Sequence, residues 1–140
     1  MMVSDKIIPG KSLGGIQLNS HIDNVYKMFA PECKIEKKNN SLILNDGLIV
    51  VGYGVGDELI YSVMCGVNYP YRFDGKLWAG MTVADVLNHS QRQIAYGGCV
   101  VVDGINGVGL PLPAGLDDFE QITDFLELDH VFENLSVFRI

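Results

Sequence analysis

The sequence predicts an α+β fold, a mainly antiparallel sheet with two short helices, and three observations carry that reading. Short β-branched runs follow one another at turn-sized intervals. Glycine, 16 of 140 residues, is scattered singly through those runs rather than gathered into a linker, as turns and bulges inside a sheet require. Only two segments join a helix start signal to apolar residues at helical spacing.

The first helix is expected after Ser20-His21-Ile22-Asp23, where Ile22, Val25, Tyr26 and Phe29 share one helical face and Pro31 stops the element. Ser20 is placed to cap the first amides, and Asp23 stands where the helix dipole favours an acid. Short β runs then cover 41–44, 48–53 and 59–63, with Asp46-Gly47 suited to a tight hairpin turn between the first two. The second helix is expected after Thr82-Val83-Ala84-Asp85, with Thr82 as its cap and Val83, Val86 and Leu87 as its apolar stripe.

Runs at 94–96, 99–102 and 105–110 repeat the order of helix then meander, at an offset of about 60 residues. This suggests one domain, 1–140, composed of two related units over 7–67 and 71–140. After Pro111, Pro113 and Gly115, residues 116–132 carry Phe119, Ile122, Leu126 and Val131 and are read as a short helix or a loop with a buried edge. Residues 135–140 form the last expected strand, apolar on both faces and so covered in part on each.

A hydrophobic fraction of 48% against 19% charged residues describes a chain able to build its own core without staples. Cys33, Cys65 and Cys99 are too far apart for a zinc knuckle, and their odd number fits reduced thiols. The first residues lack an apolar stretch of signal-peptide length, and the longest apolar run, 48–55, is broken by Gly52 and Gly54. A cytoplasmic protein without a membrane segment is therefore expected.

No motif in the chain points firmly to catalysis. Gly52-Tyr53-Gly54-Val55-Gly56 has the glycines of a dinucleotide loop, but strand-like residues and the acids Asp57 and Glu58 follow it, so a glycine-rich hairpin or bulge is expected. Gly10-Lys11-Ser12 lacks the upstream glycine of a phosphate loop and reads as a turn. His21, His89 and His130 stand apart with no ligand partner at motif spacing, and no strained turn marks Ser90 as a nucleophile. Cys99 reads as a buried, inert strand residue. Neither catalytic residues nor a metal nor a cofactor is expected.

Charge is distributed unevenly. Lys+Arg 10 against Asp+Glu 17 leaves a net −7, and between residues 93 and 138 eight acids occur with no Lys or Arg. A general acid and base would need two of them, whereas a solvated face or a surface for a cationic partner uses them all. The expected partner surface is Asp117, Asp118, Glu120, Asp124, Glu127 and Asp129, with Tyr69 and Tyr71 near the chain midpoint as aromatic anchors. Direct binding of nucleic acid is disfavoured by the same charge. Trp78, just before the second helix, is expected to staple that helix to the sheet.

Pro9-Gly10-Lys11-Ser12-Leu13-Gly14-Gly15-Ile16-Gln17-Leu18-Asn19-Ser20 resembles the opening of small bacterial proteins in which a short Gly-Ile-x-Leu-Gly strand leads into a helix, with a fainter copy at 80–86. Many of these are immunity proteins or envelope-bound binding modules. Asn19 stands where glycine is usual, and no lipidation cysteine precedes it, so the chain is closer to the cytoplasmic immunity proteins of contact-dependent bacterial growth inhibition. The resemblance implies a non-enzymatic protein that neutralises a basic toxin domain, such as a nuclease, in a tight 1:1 complex. It carries over no contact residue. A small-ligand or structural α+β domain is the alternative, favoured by a deep cleft lined by His21 or His89, and a hydrolase stands third.

Overall fold

A computed structural model describes residues 3–140. The chain opens with three two-residue strands, β1 (Ile7–Ile8), β2 (Ser12–Leu13) and β3 (Ile16–Gln17), and α1 (Asp23–Phe29) follows. A meander comes next: β4 (Ile35–Lys38), β5 (Ser41–Leu44), β6 (Ile49–Tyr53) and β7 (Ile60–Cys65). The second half runs through β8 (Met81–Thr82), α2 (Val83–His89), β9 (Gln93–Tyr96), β10 (Cys99–Val102), β11 (Val108–Pro111), β12 (Val131–Phe132) and β13 (Leu135–Phe138). The fold is α+β, with a mainly antiparallel sheet and two short helices.

Eight strands form the main sheet in the order β4-β5-β6-β7-β13-β11-β10-β9. Each half of the chain supplies four neighbouring strands, and the halves meet where β7 pairs antiparallel with β13, Val63 opposite Val137. The last strand of the chain is thus central, which is why Leu135, Ser136 and Val137 are all buried although their side chains alternate between faces. Arg139 and Ile140 lie beyond it and are exposed.

Opposed residues share a face, so the register identifies the core side. Leu42, Leu44, Ile49, Val51, Val63, Cys65, Leu135, Val137, Val108, Leu110, Val100 and Val102 all point to it. Val25 and Phe29 of α1, Val83 and Val86 of α2, and Leu13 and Ile16 of the N-terminal strands belong to the same buried cluster. The other face carries one row across the whole sheet: Glu36, Ile43, Val50, Met64, Ser136, Gly109, Val101 and Ile94.

Several local expectations are corrected by the geometry. Ser20 does not cap α1: its hydroxyl donates to Gln17 O at 2.7 Å, and the Asp23 amide donates instead to His21 Nδ1 at 3.1 Å. Tyr26 and Leu87, assigned to apolar stripes, are exposed, because seven-residue helices laid on a sheet bury only a narrow strip. Strand β4 was missed because Ile35-Glu36-Lys37-Lys38 has one apolar residue in four, as suits a charged sheet edge.

Other signals correspond to what forms. Thr82 accepts the Asp85 amide at 3.1 Å while the Asp85 carboxylate accepts the Thr82 amide at 3.0 Å, a full capping box on α2. Asp46-Gly47 lies in a 3-10 turn joining β5 to β6, and the ladder shifts register between Gly52 and Tyr53 before the glycine-rich turn to β7. Gly107, at φ 88°, lies so close to Gly10 that a Cβ would strike the Gly10 backbone, whose amide donates to Gly107 O at 3.0 Å.

Candidate functional site

Residues 116–130 form an irregular strap on the helix side of the sheet. The chain leading into it is tied to the β9–β10 turn, where the Leu112 amide donates to Gly98 O at 2.8 Å. It ends against the first turn of α2, whose Val83 and Ala84 amides each donate at 3.0 Å to His130 O and Leu128 O. Phe119 and Ile122 are buried and Leu126 packs against the core, so three apolar side chains hold down a segment with a single turn of 3-10 helix, Ile122–Asp124. Val131, read with them, is exposed in β12.

The six strap acids, Asp117, Asp118, Glu120, Asp124, Glu127 and Asp129, are all exposed, and among the described residues none is in an ion pair. Two also shape the strap. Asp118 Oδ1 accepts its neighbour's amide, Phe119 N, at 2.8 Å, and Asp124 Oδ2 accepts the amides of Glu120 and Gln121 at 3.1 and 2.9 Å. The lysines that are paired serve acids elsewhere: Lys34 with Glu36 and Asp46, Lys37 with Glu58, Lys76 with Asp103. Of the eight acids after Arg92, Asp103 alone is matched by a lysine among the described residues.

Two apolar side chains stand among these carboxylates that sequence reasoning missed. Phe125 is 68% exposed and Leu128 55%. Spacing did not mark them: Phe125 follows Ile122 at the same three-residue interval that separates the buried Phe119 and Ile122. An exposed phenyl ring flanked by uncompensated acids joins a low-entropy apolar anchor to a negative field, a combination suited to a cationic protein surface.

The tyrosines divide. Tyr69 is only 3% exposed and its hydroxyl donates to Ser4 O at 2.7 Å, so its ring belongs to the core and cannot meet a partner directly. Burial also pushes its phenol above the usual range. Tyr71 is exposed and packs edge-on against Tyr69 with ring centroids 5.3 Å apart. Trp78 reaches α2, its ring edge-on to His89 at 5.0 Å, with the Arg72 guanidinium 3.9 Å from its centroid.

A cavity of about 740 Å³ opens beside the end of α2 and is lined by Lys76, His89, Gln91, Arg92 and Asp103 among others. His89 Nδ1 donates to Asp85 O at 2.8 Å, which directs Nε2 away from the helix backbone. His21 lies apart, within 3.8 Å of Glu58 and 3.4 Å of Asp23, and His130 packs edge-on to Phe132. No group of three or more His, Cys, Asp or Glu side chains among the described residues is placed to hold a metal ion. No helix among them is long and apolar enough to cross a membrane.

No protein-family model matches the chain, and no curated protein or solved structure shows significant similarity to it.

Proposed function

We propose that this chain is a non-enzymatic binding protein that neutralises a basic toxin domain, such as a nuclease, in a 1:1 complex in the cytoplasm, and that the strap is its contact surface. The observation that carries the reading is Phe125, solvent-exposed within a segment bearing six acids and no paired cation. Uncompensated negative charge accelerates encounter with a cationic partner, and the exposed ring supplies affinity that charge alone does not. The resemblance of residues 9–20 to immunity proteins agrees with this independently of charge.

The test is co-expression with the product of the adjacent gene. A 1:1 complex in light scattering, together with rescue of growth by this chain and not by a Phe125→Ala variant, supports the reading. Normal growth of cells carrying that gene alone, with no complex at micromolar concentration, overturns it.

The cleft beside His89 favours a second reading, a site for a small anionic ligand. Arg92 supplies donors there, although the Asp103 carboxylate shares the same wall. A thermal shift with a panel of phosphates and dicarboxylates, lost in Arg92→Ala, distinguishes it from the strap.

A further inference from the structure

The two free edges of the main sheet are guarded very differently, and the difference points to how a partner docks. At one end β4 pairs with β5, and the Asn45 amide donates to Lys34 O at 2.9 Å. Antiparallel ladders alternate bonded and non-bonded pairs, so that bond fixes the Glu36/Ile43 and Lys38/Ser41 pairs as bonded and turns the Ile35 and Lys37 backbone outward. Lys34, Glu36, Lys37 and Lys38 surround that edge with charge, the usual defence against an added strand.

At the other end the Asp103 amide donates to Arg92 O at 2.8 Å, and the same counting makes Ile94/Val101 and Tyr96/Cys99 the bonded pairs. The amides and carbonyls of Gln93 and Ala95 therefore face away from β10. From Gln93 to Gly98 this edge carries no charged residue. Ile94 and Tyr96 share one face of it, both exposed, Tyr96 by 53%. The Gly97-Gly98 turn, at φ 59° and 80°, closes the hairpin without a side chain to obstruct approach.

We infer that β9 is a strand-addition edge, and that its occupant is an extended segment of the cationic partner with alternating apolar and basic residues. This rests on the binding reading above. An added strand would set one side-chain row against Ile94 and Tyr96, and the other row on the helix side, where the acidic strap lies. A second copy of the chain fits poorly, because β9 joined to β9 would bring two straps of six acids to the same side of one sheet. Four residues of strand also bury far less than the roughly 1,200 Å² of a stable dimer.

The probe is a soluble peptide alternating lysine and valine, with one alternating glutamate and valine as control, followed by amide hydrogen exchange of the intact chain. Protection of the Gln93 and Ala95 amides by the lysine peptide and not by the glutamate peptide is the expected result. Ala95→Pro removes an outward N–H without breaking the β9–β10 ladder and should weaken the peptide about tenfold. Lys37→Pro, the matching change on the β4 edge, should leave it unaltered. Ile94→Lys provides a second block that keeps every backbone group and should act like Ala95→Pro.

Protection at Ile35 and Lys37 instead, none at either edge, or protection of Ala95 that rises with protein concentration in the absence of peptide would each overturn the assignment. A toxin complex that survives Ala95→Pro and Ile94→Lys but is lost on neutralising the strap also overturns the edge, and leaves the binding reading standing.

Discussion

Lys76 Nζ donates to Asp103 Oδ2 at 2.7 Å while Asp103 Oδ1 accepts the amides of Gln91 and Arg92, both at 2.9 Å. One carboxylate thereby ties three segments together: the loop before β8, the end of β10 and the connection from α2 to β9. The contact is partly buried, so its charge-assisted bonds are less screened than those of a surface pair.

Asp103→Asn should therefore destabilise the chain by about 1–3 kcal/mol, read as a lower urea midpoint at unchanged slope. Asparagine tolerates the left-handed backbone at this position, φ 52°, so the change tests charge rather than strain. Lys76 foremost, then the Arg92 amide, holds the Asp103 carboxyl below its ordinary range. The unfolded chain consequently binds the proton first as pH falls. The stabilisation is complete above the ordinary carboxylate value, about 4, and is lost as pH drops through the lowered folded value. Urea midpoints of the variant should fall less steeply below pH 4 than those of the parent chain.

The caps of the two helices make opposite predictions. Thr82→Ala should cost about 1 kcal/mol, because it opens the capping box on α2. Ser20→Ala should change stability by less than about 0.5 kcal/mol, since Ser20 lies outside α1, its hydroxyl bonds Gln17 O at an exposed position, and its backbone bond from the Ile60 amide is kept. The bond from the Thr82 amide chiefly lowers the Asp85 carboxyl, so that increment is likewise present at neutral pH and lost on acidification. Urea titrations of both variants at pH 7 and pH 3 check the pair.

Local chemistry made much of this fold readable in advance, and tertiary context explains the remainder. Thr82 and Asp85 contain their whole interaction within four residues, so the capping box was visible in sequence. Ser20 had the same local pattern, but the amide bonds of Asn19 and Ile22 to Ile60 O and Glu58 O draw the chain onto β7 before the helix begins. The strap's charge was legible as a composition bias, whereas the inward turn of Tyr69 depended on Ser4, far away in sequence. Sheet order was beyond local reading, because the pairing of β7 with β13 joins segments about 70 residues apart.

All three thiols should resist alkylation while the chain is folded. Cys33, Cys65 and Cys99 are buried, and burial pushes the Cys65 thiol up to about 12 and the Cys99 thiol up to about 11. The thiolate is the reactive form, so little of it exists at pH 8 at either position. Iodoacetamide at pH 8 should leave both unmodified by mass after a time that fully labels the urea-unfolded chain. Modification of Cys65 in the native protein would contradict its placement at the junction of β6, β7 and β13.

Charge and ring should leave different kinetic marks on a complex made through the strap. Replacing Asp117, Asp118 and Glu120 by Asn, Asn and Gln removes long-range attraction without removing an anchor, so association should slow several-fold at low salt and hardly at all near 0.5 M, where screening has erased the attraction. Dissociation should change little. Phe125→Ala does the reverse: it deletes a solvent-exposed ring that no core residue depends on, leaves the encounter rate intact, and should raise the dissociation rate tenfold or more. Stopped-flow measurements across a salt series separate the two effects. Equal association rates for parent and triple variant at low salt would remove the strap from the contact surface, since six exposed carboxylates cannot lie at the interface with a cation and fail to steer it.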